Sequence, residues 1–184
     1  MKIADADILL IPGYANSDPG HWMRRWEEKM ANSRVVEQDN WFTPSRKVWM
    51  ETLLAAIEAA ERPVVLVAHS LGCILVAHGA HVLPKDKVKG AFLVAPSDWD
   101  RPGLVPAFDG GDFVPVPRMP LPFRTHLVAS QNDAYCDFEV AKGFAHSWGA
   151  TFQDAGHVGH INLQSGHGPW PEGMMSFAHF MARM

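Results

Sequence analysis

The chain has 184 residues, 47% hydrophobic and 20% charged, with 7 Trp and 10 Phe, which suits one ordinary domain and is too apolar for a disordered chain. Sixteen Lys and Arg against twenty Asp and Glu leave a net charge of −4, so no summed positive field is available for a nucleic-acid backbone or an anionic membrane. Two cysteines are too few for a disulfide framework, the start MKIADADILLIPGY lacks a signal peptide's apolar stretch, and the apolar runs of about five residues fall far short of a membrane span, so a reducing cytoplasm is the expected setting.

Along the chain, short apolar runs bounded by turn residues predict strands at 8–11, 35–36, 64–67, 91–94, 126–128 and 151–152. Several are apolar at consecutive positions, the pattern of strands buried on both faces of a parallel sheet. Between them, helical spacing predicts helices over 20–30, 46–60, 71–82, 138–148 and 174–184. In the second, Val48, Met50, Leu53, Leu54 and Ile57 form one side and Arg46, Lys47, Glu51 and Glu58 lie largely on another. This alternation predicts one doubly wound α/β domain over 1–184 with a mostly parallel sheet and a ligand crevice beyond the carboxyl ends of its strands.

One stretch breaks the pattern. Residues 96–122 hold Pro96, Pro102, Pro106, Pro115, Pro117, Pro120 and Pro122, half of the 14 prolines, with Gly103, Gly110 and Gly111, which forbids a long helix. A loop of that length inside a domain is expected to wall a functional site, and its prolines make it semi-rigid.

The segment PVVLVAHSLGCILVAHGA, 63–80, carries the chemistry. A buried strand ends and a helix begins around Ser70, as in a nucleophile elbow, where a strained turn lifts a hydroxyl above the sheet and small neighbours let backbone pass closely. Gly72 fills one small position and Ala68 stands where the usual pattern has glycine. A helix-capping serine fits the same turn. An α/β hydrolase further requires an acid and then a histidine on later loops, and both are present. Asp133 follows the strand near 125–129, where it could orient an imidazole; Asp137 fits better as the cap of the next helix. The loop after the last strand offers His157 and His160, either of which could be the general base. An oxyanion hole would draw one N–H from Leu71 and a second from the loop 12–18, at Tyr14 or Ala15. Ten histidines also permit a metal, with His78 and His81 one turn apart and His157, His160 and His167 in one loop, yet no carboxylate or cysteine completes a ligand set at close spacing. Cys73 reads as a small buried hydrophobe.

With these residues in place, the chain resembles the small serine hydrolases related to the retinoblastoma-binding protein group, in their bacterial branch. The resemblance rests on IPGYANSDPGHW at 11–22, LVAHSLGC at 66–73, LVAPSD at 93–98, SQNDAYC at 130–136 and GHINLQSGHGPWPEG at 159–173. It implies a compact α/β hydrolase with a shortened sheet, no cofactor and no large helical cap. It implies Ser70 as nucleophile, Asp133 as acid and His160 as base, and places His21 and Trp22 by the site. With Ala15 and His69 these form the expected substrate-contacting set. The implied activity is hydrolysis of small esters, thioesters or amides through an acyl-enzyme, with no nucleic-acid or membrane partner. The rival reading is a protein-binding module that keeps the fold with an idle site.

Overall fold

A computed structural model describes residues 1–184. Six strands form one sheet: β1 (Asp7–Ile11), β2 (Ser33–Val35), β3 (Val64–His69), β4 (Val88–Val94), β5 (Arg124–Ala129) and β6 (Thr151–Asp154). Their order is β2-β1-β3-β4-β5-β6 and every neighbouring pair is parallel. The single α/β domain with a parallel sheet is therefore borne out, and the sheet is wholly rather than mostly parallel. β1 and β3 are buried almost throughout because helices cover both faces, which is why their sequences run apolar without alternation.

Five helices accompany the strands, four between them and one after β6: α1 (Trp22–Lys29), α2 (Arg46–Glu58), α3 (Leu71–His78), α4 (Phe138–Trp148) and α5 (Pro171–Ala182). One core lies beneath α2, α3 and α4 and holds Leu9, Leu66, Leu93 and Trp148; the other lies beneath α1 and α5 and holds Ile8, Leu10, Val67, Phe92 and Phe177. The face that α2 buries runs through Trp49, Leu53 and Ile57, with Met50 and Leu54 at its margin, so the stripe expected through Val48 is rotated toward Trp49. Two helix boundaries differ from expectation by three residues or more. α3 gives way after His78 to a 3-10 turn at Gly79–His81. α5 starts at Pro171, because a proline whose N–H is not needed is suited to the first turn.

The chain leaves β1 to one side to form β2 and returns on the other side of β1 to form β3. The reversal opens a crevice at the carboxyl ends of β1 and β3, where an open parallel sheet places its ligand. None of the helices is long and apolar enough to cross a membrane.

Candidate active site

Ser70 follows β3 directly and adopts φ 56°, ψ −123°, a conformation that costs a non-glycine residue roughly 1–3 kcal/mol and persists only when the surroundings impose it. Its amide donates to the Val94 carbonyl at 3.1 Å, which anchors the turn to β4. The capping role open to a serine here is not taken: Ser70 makes no side-chain bond to the start of α3. Its Oγ lies 2.9 Å from His160 Nε2 instead. Two glycines permit the turn. A Cβ on Gly72 would come within 2.3 Å of the Ile11 carbonyl oxygen, and one on Gly13 within 2.7 Å of Ser70 Cβ.

The loops after β5 and β6 are stitched together before they reach the crevice. Val158 N donates to Ser130 Oγ at 3.1 Å and Gly159 N to Asn132 Oδ1 at 2.8 Å. His160 then turns inward with Nδ1 at 2.9 and 2.8 Å from the two oxygens of Asp133. Asp133 Oδ1 also accepts from the Tyr135 amide at 2.8 Å, and the Tyr135 ring covers the imidazole with centroids 4.5 Å apart. The side chains of His160 and Asp133 are only 10% and 3% exposed, so this charged hydrogen bond is weakly screened. Asp137 stands at the start of α4 without capping it through its side chain. His157 is exposed and does not line the crevice.

Two further histidines support this arrangement. His69 Nε2 donates to the His160 carbonyl at 2.8 Å, so a neutral ring with its proton on Nε2 fixes the backbone of residue 160. His21 accepts the Met23 amide at Nδ1, 3.2 Å away, and so caps α1. Burial pushes the pKa of His21 down to about 3 and that of His69 well below its ordinary value, with His160 adding to both. Such groups leave stability intact above the unfolded pKa near 6.5 and subtract from it below, where only the unfolded chain takes up the proton. His21 alone is expected to lower the unfolding free energy by about 2 kcal/mol between pH 7 and pH 5. Urea denaturation midpoints at the two pH values check this; equal midpoints would mean that the ring is protonated in the native state.

The crevice holds about 360 Å³ and is lined by Tyr14, Ala15, His21, His69, Ser70 and His160 among others. The backbone N–H groups of Tyr14 and Leu71 donate to no protein acceptor, whereas that of Ala15 is committed to the Trp41 carbonyl at 2.9 Å. Of the two candidates on the first loop, only Tyr14 has an amide free to meet a developing oxyanion. Trp22 corrects the sequence reading. It is 0% exposed and lies in the core under α1, where its indole N–H donates to the Ile161 carbonyl at 2.9 Å. It braces the residue after His160 and cannot touch a substrate.

Lining residues that the sequence did not single out are Asn16, Asp18, Ser97, Trp99, Tyr135, Asn162 and Gln164, and Val105 joins them from the stretch expected to wall the site. Trp99 and Val105 come from the proline-rich segment, which thus supplies one wall. Composition marked the segment without telling which of its side chains point inward. The Tyr14 ring stacks on Phe108 at 5.6 Å, and Phe108 meets Trp99 at 5.1 Å, so an aromatic cluster backs this wall.

No group of three or more His, Cys, Asp or Glu side chains is placed to hold a metal ion. His78 instead donates from Nε2 to the Phe113 carbonyl at 2.8 Å and faces Arg46. Cys73 is buried with its thiol on the Ala68 and Val94 carbonyls, and burial pushes its pKa up.

The profile of the family described as Serine hydrolase matches residues 8–179. The chain is 26% identical over 162 residues to YdeN of Bacillus subtilis (strain 168), covering 84% of this chain and 85% of that protein. A YdeN-like hydrolase from Pectobacterium atrosepticum superposes with a TM-score of 0.84 at 27% identity, covering 96% of this chain and 91% of the other. An esterase from Thermogutta terrifontis shares the fold at a TM-score of 0.65 and 15% identity, with coverages of 96% and 89%.

Proposed function

The chain belongs to the serine hydrolase family, and from that premise we propose that it cleaves small esters, thioesters or amides through an acyl-enzyme formed on Ser70. The observation that carries this reading is the unbroken path from Ser70 Oγ to His160 Nε2 at 2.9 Å and from His160 Nδ1 to Asp133 at 2.8 Å. Ser70 Oγ attacks the carbonyl carbon while its proton passes to His160 Nε2, and the carbonyl π pair moves to oxygen. The Leu71 and Tyr14 amides meet the oxyanion. Asp133 keeps the Nδ1 proton in place and stabilises the imidazolium. Collapse of the intermediate expels the leaving group, which takes the proton from Nε2. Water then repeats the sequence at the acyl-enzyme and frees the acid and Ser70.

Supporting the ester side of this reading, the fold is shared with a protein described as an esterase. The deciding experiment is labelling with a fluorophosphonate, which reacts with an activated serine. One adduct per chain, mapped by mass spectrometry to Ser70, is expected. A folded protein that stays unlabelled in excess probe would point to a binding module with an idle site.

A further inference from the structure

The two sides of the crevice come from opposite faces of the sheet. His160 arrives from the face covered by α1 and α5, where Ile161 and Trp22 sit in one core. Trp99, Val105 and Tyr14 belong to the other face, packed against the core beneath α2, α3 and α4. The imidazole must hand its proton to the leaving group, so the leaving group lies on the His160 side. The acyl chain then lies opposite, along Tyr14, Trp99 and Val105.

On this acyl side Ser97 is unusual. It is 1% exposed, yet it lines the crevice. Its Oγ accepts the Trp99 indole N–H at 2.7 Å, and its own O–H finds no acceptor within the protein. A buried hydroxyl left without an acceptor is costly, and the indole bond already occupies the acceptor side. The remaining donor has no partner in the protein and can be satisfied only by what enters the crevice.

We propose that Ser97 is a specificity-determining residue that donates its hydroxyl proton to an oxygen in the acyl chain, so that the preferred substrates are esters of alkoxy-, hydroxy- or oxo-acids rather than of plain alkanoic acids. This inference rests on the serine-hydrolase reading of the same crevice. Trp99 fixes the rotamer by holding the oxygen from behind. An alkyl chain of equal length would leave the Ser97 proton unpaired, which is how a site built around a hydrogen bond rejects an isostere lacking the acceptor.

The test uses 4-nitrophenyl methoxyacetate and 4-nitrophenyl butanoate, which differ by an ether oxygen in place of a methylene. Each kcat/KM is divided by the ester's rate of hydroxide hydrolysis to remove intrinsic reactivity. The wild-type protein is expected to favour methoxyacetate by roughly three- to tenfold after this correction, the range of one neutral hydrogen bond. Ser97→Ala should erase the preference, bringing the two corrected rates together through a roughly three- to tenfold relative loss on methoxyacetate. Trp99→Phe, which keeps the hydroxyl, should retain a preference that Ser97→Ala lacks. Ser97→Cys, close in size and a poor donor, repeats the measurement should the alanine variant fold badly. Equal corrected rates in the wild type, or an equal loss on both esters in Ser97→Ala, overturn the proposal and reduce Ser97 to a prop for Trp99. If neither ester turns over while both hydrolyse in buffer, the serine-hydrolase reading falls first and this inference with it.

Discussion

Ser70→Ala is expected to lower kcat for ester hydrolysis by about 10⁶, the loss that follows removal of a nucleophile from a cooperating set of three groups. The expectation follows from the backbone as much as from the hydroxyl. The elbow holds φ at 56° whichever side chain it carries, and neither the anchoring bond from the Ser70 amide to Val94 nor the free amide of Leu71 depends on Oγ. The variant should therefore keep its fold, losing only the bond to His160 Nε2, with a change in unfolding free energy of about 1 kcal/mol or less. Ester hydrolysis in a stopped assay, together with a urea melt of the same preparation, separates the two effects. Retention of more than about a tenth of the wild-type rate would remove Ser70 from the chemistry. A collapse of stability would make any lost rate uninterpretable as catalysis.

How much of this was legible in the sequence follows from the range of the interactions involved. The sheet was readable because burial on both faces leaves a local trace, four to six apolar residues in succession, as in Val64 to Val67. The elbow was readable because a strained turn needs small neighbours close in sequence, Ala68 and Gly72. What stayed hidden depends on contacts between distant segments. Trp22 adjoins the motif around His21 and looked like a surface for substrate, yet its indole N–H is consumed by Ile161, 139 positions away. β4 extends back to Val88 through the exposed Lys89, a position that a purely apolar signal passes over. The start of α5 was hidden because Pro171 and Gly173 read as breakers; Gly173 lies under the Trp170 ring, where a Cβ would come within 2.1 Å. Ser97, Trp99 and Val105 sat in a stretch that composition marked as irregular, and which of its residues face Ser70 is decided by packing against the core that α2, α3 and α4 cover.

The second large effect is expected at His160, and it comes paired with a near-silent neighbour. His157 and His160 are three residues apart in one loop, both follow a glycine, and sequence alone offers both to the crevice. The path of the backbone separates them. The Gly156 carbonyl accepts the Gln131 amide at 2.7 Å, and Val158 and Gly159 donate to Ser130 and Asn132, so the backbone is tied to the acid-bearing loop on both sides of residue 157 while the His157 side chain faces outward. His157 is thus left in solvent, and the first histidine beyond the pinned segment meets Asp133 and Ser70 together. His160→Ala should cost on the order of 10³ or more in kcat, through loss of proton transfer in both half-reactions. The loop should keep its course in this variant, since His69 holds the carbonyl of residue 160 rather than its ring. His157→Ala, a change at an exposed position without a crevice contact, should leave kcat within about twofold and stability within about 0.5 kcal/mol. Circular dichroism on both variants guards against misfolding, and kcat at saturating ester is the deciding measurement. A dead His157→Ala beside an active His160→Ala would mean that the loop follows a different course in solution, with the base shifted by three residues and Asp133 left without its partner.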